Sequence, residues 1–214
     1  MMENAIAWIL IFPLFGFEIH GGLDELVELE KDLLQYLGYE ENQIKIDKYC
    51  NLAQKYNVEE LEHEHETKLH EEESSTFFIT DFPESTSPFW NMKRDLSTQL
   101  ANKVDVILSG QETIGSAERE TDKEVMRDRF NKIMDGGYKN KLYELFGEDR
   151  TNKELEDYLS FDFFKRCGGG IGVTRLIRSM KMEGKKNSFV LLDTFLEFVV
   201  LEFFKTRIKF SDAI

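Results

Sequence analysis

Residues 105–119 read DVILSGQETIGSAER, two acids seven positions apart, Asp105 and Glu112, with an arginine, Arg119, seven positions beyond the second. The apolar residues Val104, Val106, Ile107 and Leu108 around Asp105 mark a largely buried strand, and buried strands seldom carry a carboxylate without a partner or a metal. Hard carboxylate oxygens suit a magnesium nucleotide. A guanidinium suits a carboxylate substrate through two parallel hydrogen bonds. One strand and the turn after it thus offer both chemistries, and ATP-dependent activation of an acidic amino acid is the first expectation. The bland alternative is a solvated surface, because 32% of the chain is charged and such spacings arise by chance.

Residues 163–181, FFKRCGGGIGVTRLIRSMK, form the second informative stretch. Gly168, Gly169, Gly170 and Gly172 allow close approach of a ligand or a neighbouring strand, and the β-branched Ile171 and Val173 between them suggest strand. Arg175 and Arg178 follow on an expected helix, with Arg175 at the strand exit, where a guanidinium stacks on a purine or meets phosphate oxygens. A glycine-rich turn with two surface arginines explains the same residues. The Gly-Lys-Ser/Thr ending of a phosphate loop is absent, and no parallel βαβ unit with a distal acid supports a dinucleotide fingerprint.

Composition narrows the class. At 214 residues and 25.1 kDa, with 41% apolar residues, the chain suits one domain with a real core. Acids outnumber bases 41 to 27, for a formal charge of −14. Nucleic-acid affinity comes mostly from lysine and arginine on phosphates, so a small molecule is expected as substrate rather than tRNA. Cys50 and Cys167 lack metal-like spacing and fit a reducing cytoplasm. No histidine neighbours Cys167 in sequence, which favours a structural thiol over a nucleophile. In LEHEHETKLHEEE, residues 61–73, His63, His65 and His70 share no helix face at ligand spacing, so a charged, solvated helix is expected instead of a zinc site. Residues 5–17, AIAWILIFPLFGF, lack a basic start and read as a buried strand rather than a signal peptide. The apolar run 189–204 is broken by Asp193, Glu197 and Glu202, too short and too charged for a membrane span.

The coarse layout follows from periodicity. Leu23, Leu26, Val27, Glu30, Leu33, Leu34 and Leu37 have helical spacing with Gly38 as a stop. Further helices are expected after Asp47, over 120–134 and over 152–164, and strands over 77–80, 89–92, 104–109 and 170–173. Long insertions between the strands favour an α+β fold with an antiparallel sheet flanked by helices.

Together the two stretches resemble the catalytic core of the class II aminoacyl-tRNA synthetases, in the aspartate, asparagine and lysine subgroup. FFITDFPESTSPFWNMKRD, residues 77–95, resembles that subgroup's strand, proline turn and PFY or PFW segment. FGFEIHGGLDELVELEKDLLQYL, residues 15–37, is similar to the segment leaving the second signature motif, and the glycine strand with Arg175 to the third. The wording TSPFWNMKRD resembles archaeal-type asparagine synthetases related to asparaginyl-tRNA synthetase more than true tRNA ligases. The resemblance implies ATP and Mg2+, with Asp105 and Glu112 on the metal. It assigns Glu112, Gly170, Gly172 and Arg175 to ATP, and Arg119, Gly115 and Ser116 to aspartate or asparagine, with Arg119 and Arg175 catalytic. Where the family carries an acid just before the last arginine, this chain has Thr174. The first motif and the second motif's arginine are not found, so the resemblance implies a catalytic domain over 1–183, truncated at both ends, with an unassigned amphipathic tail over 184–214. Ammonia-dependent conversion of aspartate to asparagine is the leading expectation. A fragment of an asparagine or aspartate tRNA ligase, and a non-catalytic paralogue, are the alternatives. A homodimer or pairing with a full-length synthetase remains open.

Overall fold

The computed structural model describes residues 12–185 and Phe203. In chain order the elements are β1 (Leu14–His20), α1 (Leu23–Tyr36), β2 (Ile44–Lys48), α2 (Tyr49–Tyr56), α3 (His63–Glu72), β3 (Thr76–Phe82), β4 (Ala101–Leu108), β5 (Gln111–Glu118), α4 (Lys123–Lys132), α5 (Gly137–Phe146), α6 (Glu148–Leu159), β6 (Arg166–Gly172) and α7 (Val173–Met182). The strands form a six-stranded sheet in the order β1-β6-β5-β4-β3-β2. Every pairing is antiparallel except β2 with β3, which is parallel. This is the expected α+β class.

Residue alternation along the strands builds the layers. Val104, Val106 and Leu108 of β4, Ile114 of β5 and Ile171 of β6 face Leu26, Leu33 and Leu34 of α1 and Leu176 of α7 in one buried cluster. On the other face, Phe77, Ile79, Ala101 and Ile107 pack beneath Tyr49 and Leu52 of α2 and Leu69 of α3. That second helical layer covers β3 and β4, while Leu14, Gly16, Glu18 and His20 of edge strand β1 stay exposed. A third cluster, centred on Trp90, Met126, Phe130, Leu155 and Leu159, unites α4 and α6 with the segment before β4. Among the described residues no helix is long and apolar enough to cross a membrane.

Several expectations change. Residues 89–92 are not a strand. Only Met92 makes an isolated bridge, to Arg119. The carbonyls of Pro88, Phe89 and Met92 accept from the buried Arg94 guanidinium, so they are taken from any ladder. The run expected over 120–134 stops at Lys132, because Met134 and Asp135 adopt left-handed backbone (φ 53° and 52°) and separate α4 from α5. Helix α5 had no expectation, and none of its residues is buried. The helix expected over 152–164 begins earlier, at Glu148 after Gly147 (φ 87°), and ends at Leu159. Strand β2 was also unforeseen. The strand expected over 5–17 coincides with β1 from Leu14 onward, and residues 5–11 lie outside the described residues. So does the tail beyond 185 except for Phe203, which is buried in the α1/α7 cluster with its ring 5.4 Å from that of Tyr36.

Candidate functional site

Strands β4 and β5 form a hairpin closed by Ser109 and Gly110, both at positive φ (48° and 77°), as a two-residue primed turn requires. Ser109 is anchored by Ser179 of α7 at 2.7 Å and by Glu183 at 2.9 Å, and Tyr39 also donates to Ser179. Along β5 the pairing shifts: Ile107 faces Glu112, while Val106 faces Ile114. Thr113 is therefore an extra residue, a β-bulge that re-aims its neighbours. In a regular strand, residues 112 and 115 would point to opposite faces. The bulge turns Glu112 to the face of Gly115 and Asp105. A Cβ at Gly115 would lie 2.9 Å from Glu112 Oε1 and 3.6 Å from Asp105 Oδ1. The missing side chain of Gly115 is thus the gap where the two carboxylates meet.

Asp105 is almost fully buried. Its Oδ2 accepts from Lys103 Nζ at 2.6 Å, while Oδ1 has no hydrogen-bond partner among the described residues. Burial pushes its carboxyl up to about 6; Lys103 opposes the rise, and Glu112 and Glu66 add to it. Lys103 lies 3.9 Å above the Phe82 ring. Glu66 of α3 accepts from the Glu112 backbone N–H at 2.8 Å. Beside these acids, His63, Glu66, Gln111, Glu112 and Arg175 line a cavity of about 360 Å³.

Arg175 lies in the first turn of α7, as its place after the glycine strand suggested. Its Nη1 donates to the Glu112 carbonyl at 2.7 Å, and its guanidinium carbon sits 5.3 Å from the Phe12 ring. Gly170 and Gly172 leave room for Leu14 and for Phe12 with Arg175: added Cβ atoms would come within 3.0 Å and 3.4 Å of those side chains.

Arg119 follows β5 on the same face, four residues past Gly115, or roughly 13 Å of strand. Its Nε donates to Glu18 Oε1 at 3.0 Å and its Nη2 to the Gly168 carbonyl at 3.1 Å. Arg166 of β6, the strand between β1 and β5, approaches the same Glu18 oxygen, Nε to Oε1 3.7 Å. Ser116 departs from expectation. Strand alternation turns it to the opposite face, where it is buried beside Glu30 and bonds the Val104 carbonyl at 3.4 Å. The structure therefore brings Asp105, Glu112, Gly115, Arg119, Gly170, Gly172 and Arg175 to one face and leaves Ser116 outside it.

Sequence reasoning missed Lys103, Glu18, Arg166 and Glu66. Lys103, two positions before Asp105, was open to a strand-alternation argument. The others reach the site through pairings across 46 or more residues, which no local pattern reveals.

The donor set fits magnesium. Asp105 Oδ1 is buried and unpartnered, Glu112 converges on the same gap, and both are hard oxygen donors. Among the described residues no group of three or more His, Cys, Asp or Glu is arranged to hold a metal. A carboxylate pair completed by nucleotide phosphates is the usual mode for magnesium.

The chain matches the family model for class II tRNA synthetases (D, K and N) over residues 5–187, and it belongs to that family. Solved structures with the same fold include asparaginyl-tRNA synthetase from Entamoeba histolytica, at a TM-score of 0.61 and 12% identity, covering 86% of this chain and 47% of that one. Aspartyl tRNA synthetase from the same organism matches at 0.59 and 16%, covering 79% and 40%. Asparaginyl-tRNA synthetase from Pyrococcus horikoshii, complexed with asparaginyl-adenylate, matches at 0.58 and 18%, covering 78% and 44%. The chain thus spans less than half the length of these proteins.

Proposed function

We propose that this chain holds an acidic amino acid or its amide together with magnesium ATP and joins them as an aminoacyl adenylate. Residues 1–183 make up the unit. The observation that carries the reading is the carboxylate pair around the Gly115 gap, on the face that also bears Arg119 and Arg175. Arg119 takes the substrate side chain, Arg175 and Phe12 take the nucleotide, and Asp105 and Glu112 face the phosphates as magnesium ligands. Gly115, Gly170 and Gly172 keep the floor of the site low. Magnesium, when bound with ATP, neutralises phosphate charge. A substrate carboxylate oxygen then attacks the α-phosphorus, the bond to the pyrophosphate oxygen breaks, and the electron pair leaves with pyrophosphate. Preorganised cations are the main lever on such a displacement, and Arg175 supplies one on this face.

Family membership supports tRNA as the acceptor of the activated group. The formal charge of −14 supports activation, rather than the grip on tRNA, as this chain's share. Ammonia-dependent synthesis of asparagine, the leading expectation from the wording TSPFWNMKRD, gains no support from the family or the similar structures. The test is pyrophosphate exchange into ATP. Exchange that requires aspartate or asparagine, and is lost in Arg175→Ala, is the expected result. Exchange indifferent to both amino acids overturns the reading.

A further inference from the structure

Arg166 was assigned no role from sequence, yet its guanidinium carries a buried donor that no acceptor among the described residues meets. Its Nε lies 3.7 Å from Glu18 Oε1, its Nη2 is 3.3 Å from the Tyr158 hydroxyl, and its plane sits over Phe163 at 5.0 Å. Its Nη1 is buried with no acceptor among the described residues. A buried donor left unmet costs on the order of 1–3 kcal/mol, more for a charged group, so such a group calls for an explanation. The same Glu18 oxygen accepts from Arg119 Nε at 3.0 Å. Two guanidiniums from neighbouring strands β5 and β6 therefore converge on a single carboxylate oxygen, and β1 provides it. Glu18 is partly exposed, 42% at the side chain, and has solvent to swing into.

We propose that Arg119 and Arg166 form a carboxylate site, that Glu18 is its resident stand-in, and that Arg166 makes the site select an acidic amino acid over its amide. The inference rests on the amino-acid-binding reading above and adds a specificity to it. Two guanidiniums against one carboxylate leave one positive charge in excess. An entering side-chain carboxylate neutralises that charge and offers acceptors to both arginines, including the orphaned Nη1. A neutral amide leaves the excess charge in place and turns an N–H2 toward a donor. When the ligand carboxylate arrives, Glu18 rotates outward and the ligand takes over its hydrogen bonds.

The test is isothermal titration of aspartate and asparagine into the full chain, saturated with magnesium and a non-hydrolysable ATP analogue. Wild type is expected to prefer aspartate by about tenfold or more, as charge-assisted pairing predicts. Arg166→Gln should bring the ratio to within about twofold of unity, and Glu18→Gln should raise it by removing the competitor. The two variants thus move one ratio in opposite directions, which a general loss of packing does not do. An unchanged ratio in Arg166→Gln overturns the proposal while leaving the amino-acid site intact. Weaker aspartate binding in Glu18→Gln also overturns it, by making Glu18 a ligand rather than a stand-in. Arg166→Gln needs a wild-type melting profile to count; if it fails to fold, Glu18→Gln decides alone. If wild type binds neither amino acid, the underlying reading and this one fall together.

Discussion

Arg119 makes its two hydrogen bonds to a partly exposed carboxylate and a backbone carbonyl, so it is held in place without being needed for the fold. Arg119→Ala is expected to remove amino acid binding, at a cost of about 2–5 kcal/mol if the pair with the ligand is desolvated, while nucleotide affinity stays within about twofold. Titration of each ligand separately checks this, and equal amino acid affinity in the variant would contradict it. The two cysteines behave oppositely. Cys167 is fully buried, and burial, followed by repulsion from Glu118, pushes its thiol up to about 12. Since the thiolate is the nucleophile, Cys50, which is exposed, should be alkylated by iodoacetamide in the native protein while Cys167 reacts only after unfolding. Mass mapping of the labelled peptides reads this out, and native labelling of Cys167 would refute it.

At the scale of the element, the hairpin and the glycine strand divide the labour between fold and site. A Cβ at Gly115 meets the mobile end of Glu112, whereas one at Gly168 runs into the Phe17 carbonyl and one at Gly169 into the Gly115 carbonyl. Gly115→Ala should therefore leave the melting temperature nearly unchanged and weaken magnesium-dependent nucleotide binding. Gly168→Ala and Gly169→Ala should destabilise by about 3 kcal/mol or more, because backbone cannot yield as a side chain does. Denaturant melts and nucleotide titrations of the three variants separate these outcomes, and a stable, binding-competent Gly169→Ala would count against the close β5–β6 approach. The same elements mark how far the sequence could be read. The apolar run around Asp105 and the leucine spacing of α1 announced their elements directly, since β4 is buried on both faces and α1 on one. The Thr113 bulge did not, because it exists only in the register between β4 and β5. Nor did the misread 89–92 segment, where a buried Arg94 outcompetes strand pairing for the carbonyls. Glu18 and Arg166 meet Arg119 only because β1 and β5 flank β6, a long-range fact without a local signature. Ser116 was placed by the family resemblance, and strand alternation put it on the other face.

For the molecule as a whole, buried acids set the dependence on pH. Burial pushes Asp105 up to about 6 and Glu30 up to about 8; the nearby Ser116 hydroxyl eases the rise at Glu30, and Asp105 adds to it. Both folded values lie above the ordinary carboxyl range, so between pH 4 and 8 the folded state keeps protons the unfolded chain has lost. Stability contributed by these groups is greatest near the low end of that window and falls as the pH rises through it. Glu30→Gln removes one of the two ionisations. It should be near neutral at pH 5 and stabilising at pH 9, as read by thermal melts at both values, and equal effects at the two pH values would contradict the assignment. Asp105 is under the same tension at neutral pH. A cation against its unpartnered oxygen would relieve it, which ties the stability of the domain to its ligand.

That link offers the most direct test of the central claim. Titrating a non-hydrolysable ATP analogue into the chain with and without magnesium, alongside Asp105→Asn, asks whether the carboxylate pair holds a metal nucleotide at all. The expected result is binding that requires magnesium, raises the melting temperature of wild type, and is weakened at least tenfold in the variant. Binding that ignores both magnesium and Asp105, or no binding at millimolar nucleotide, would contradict it.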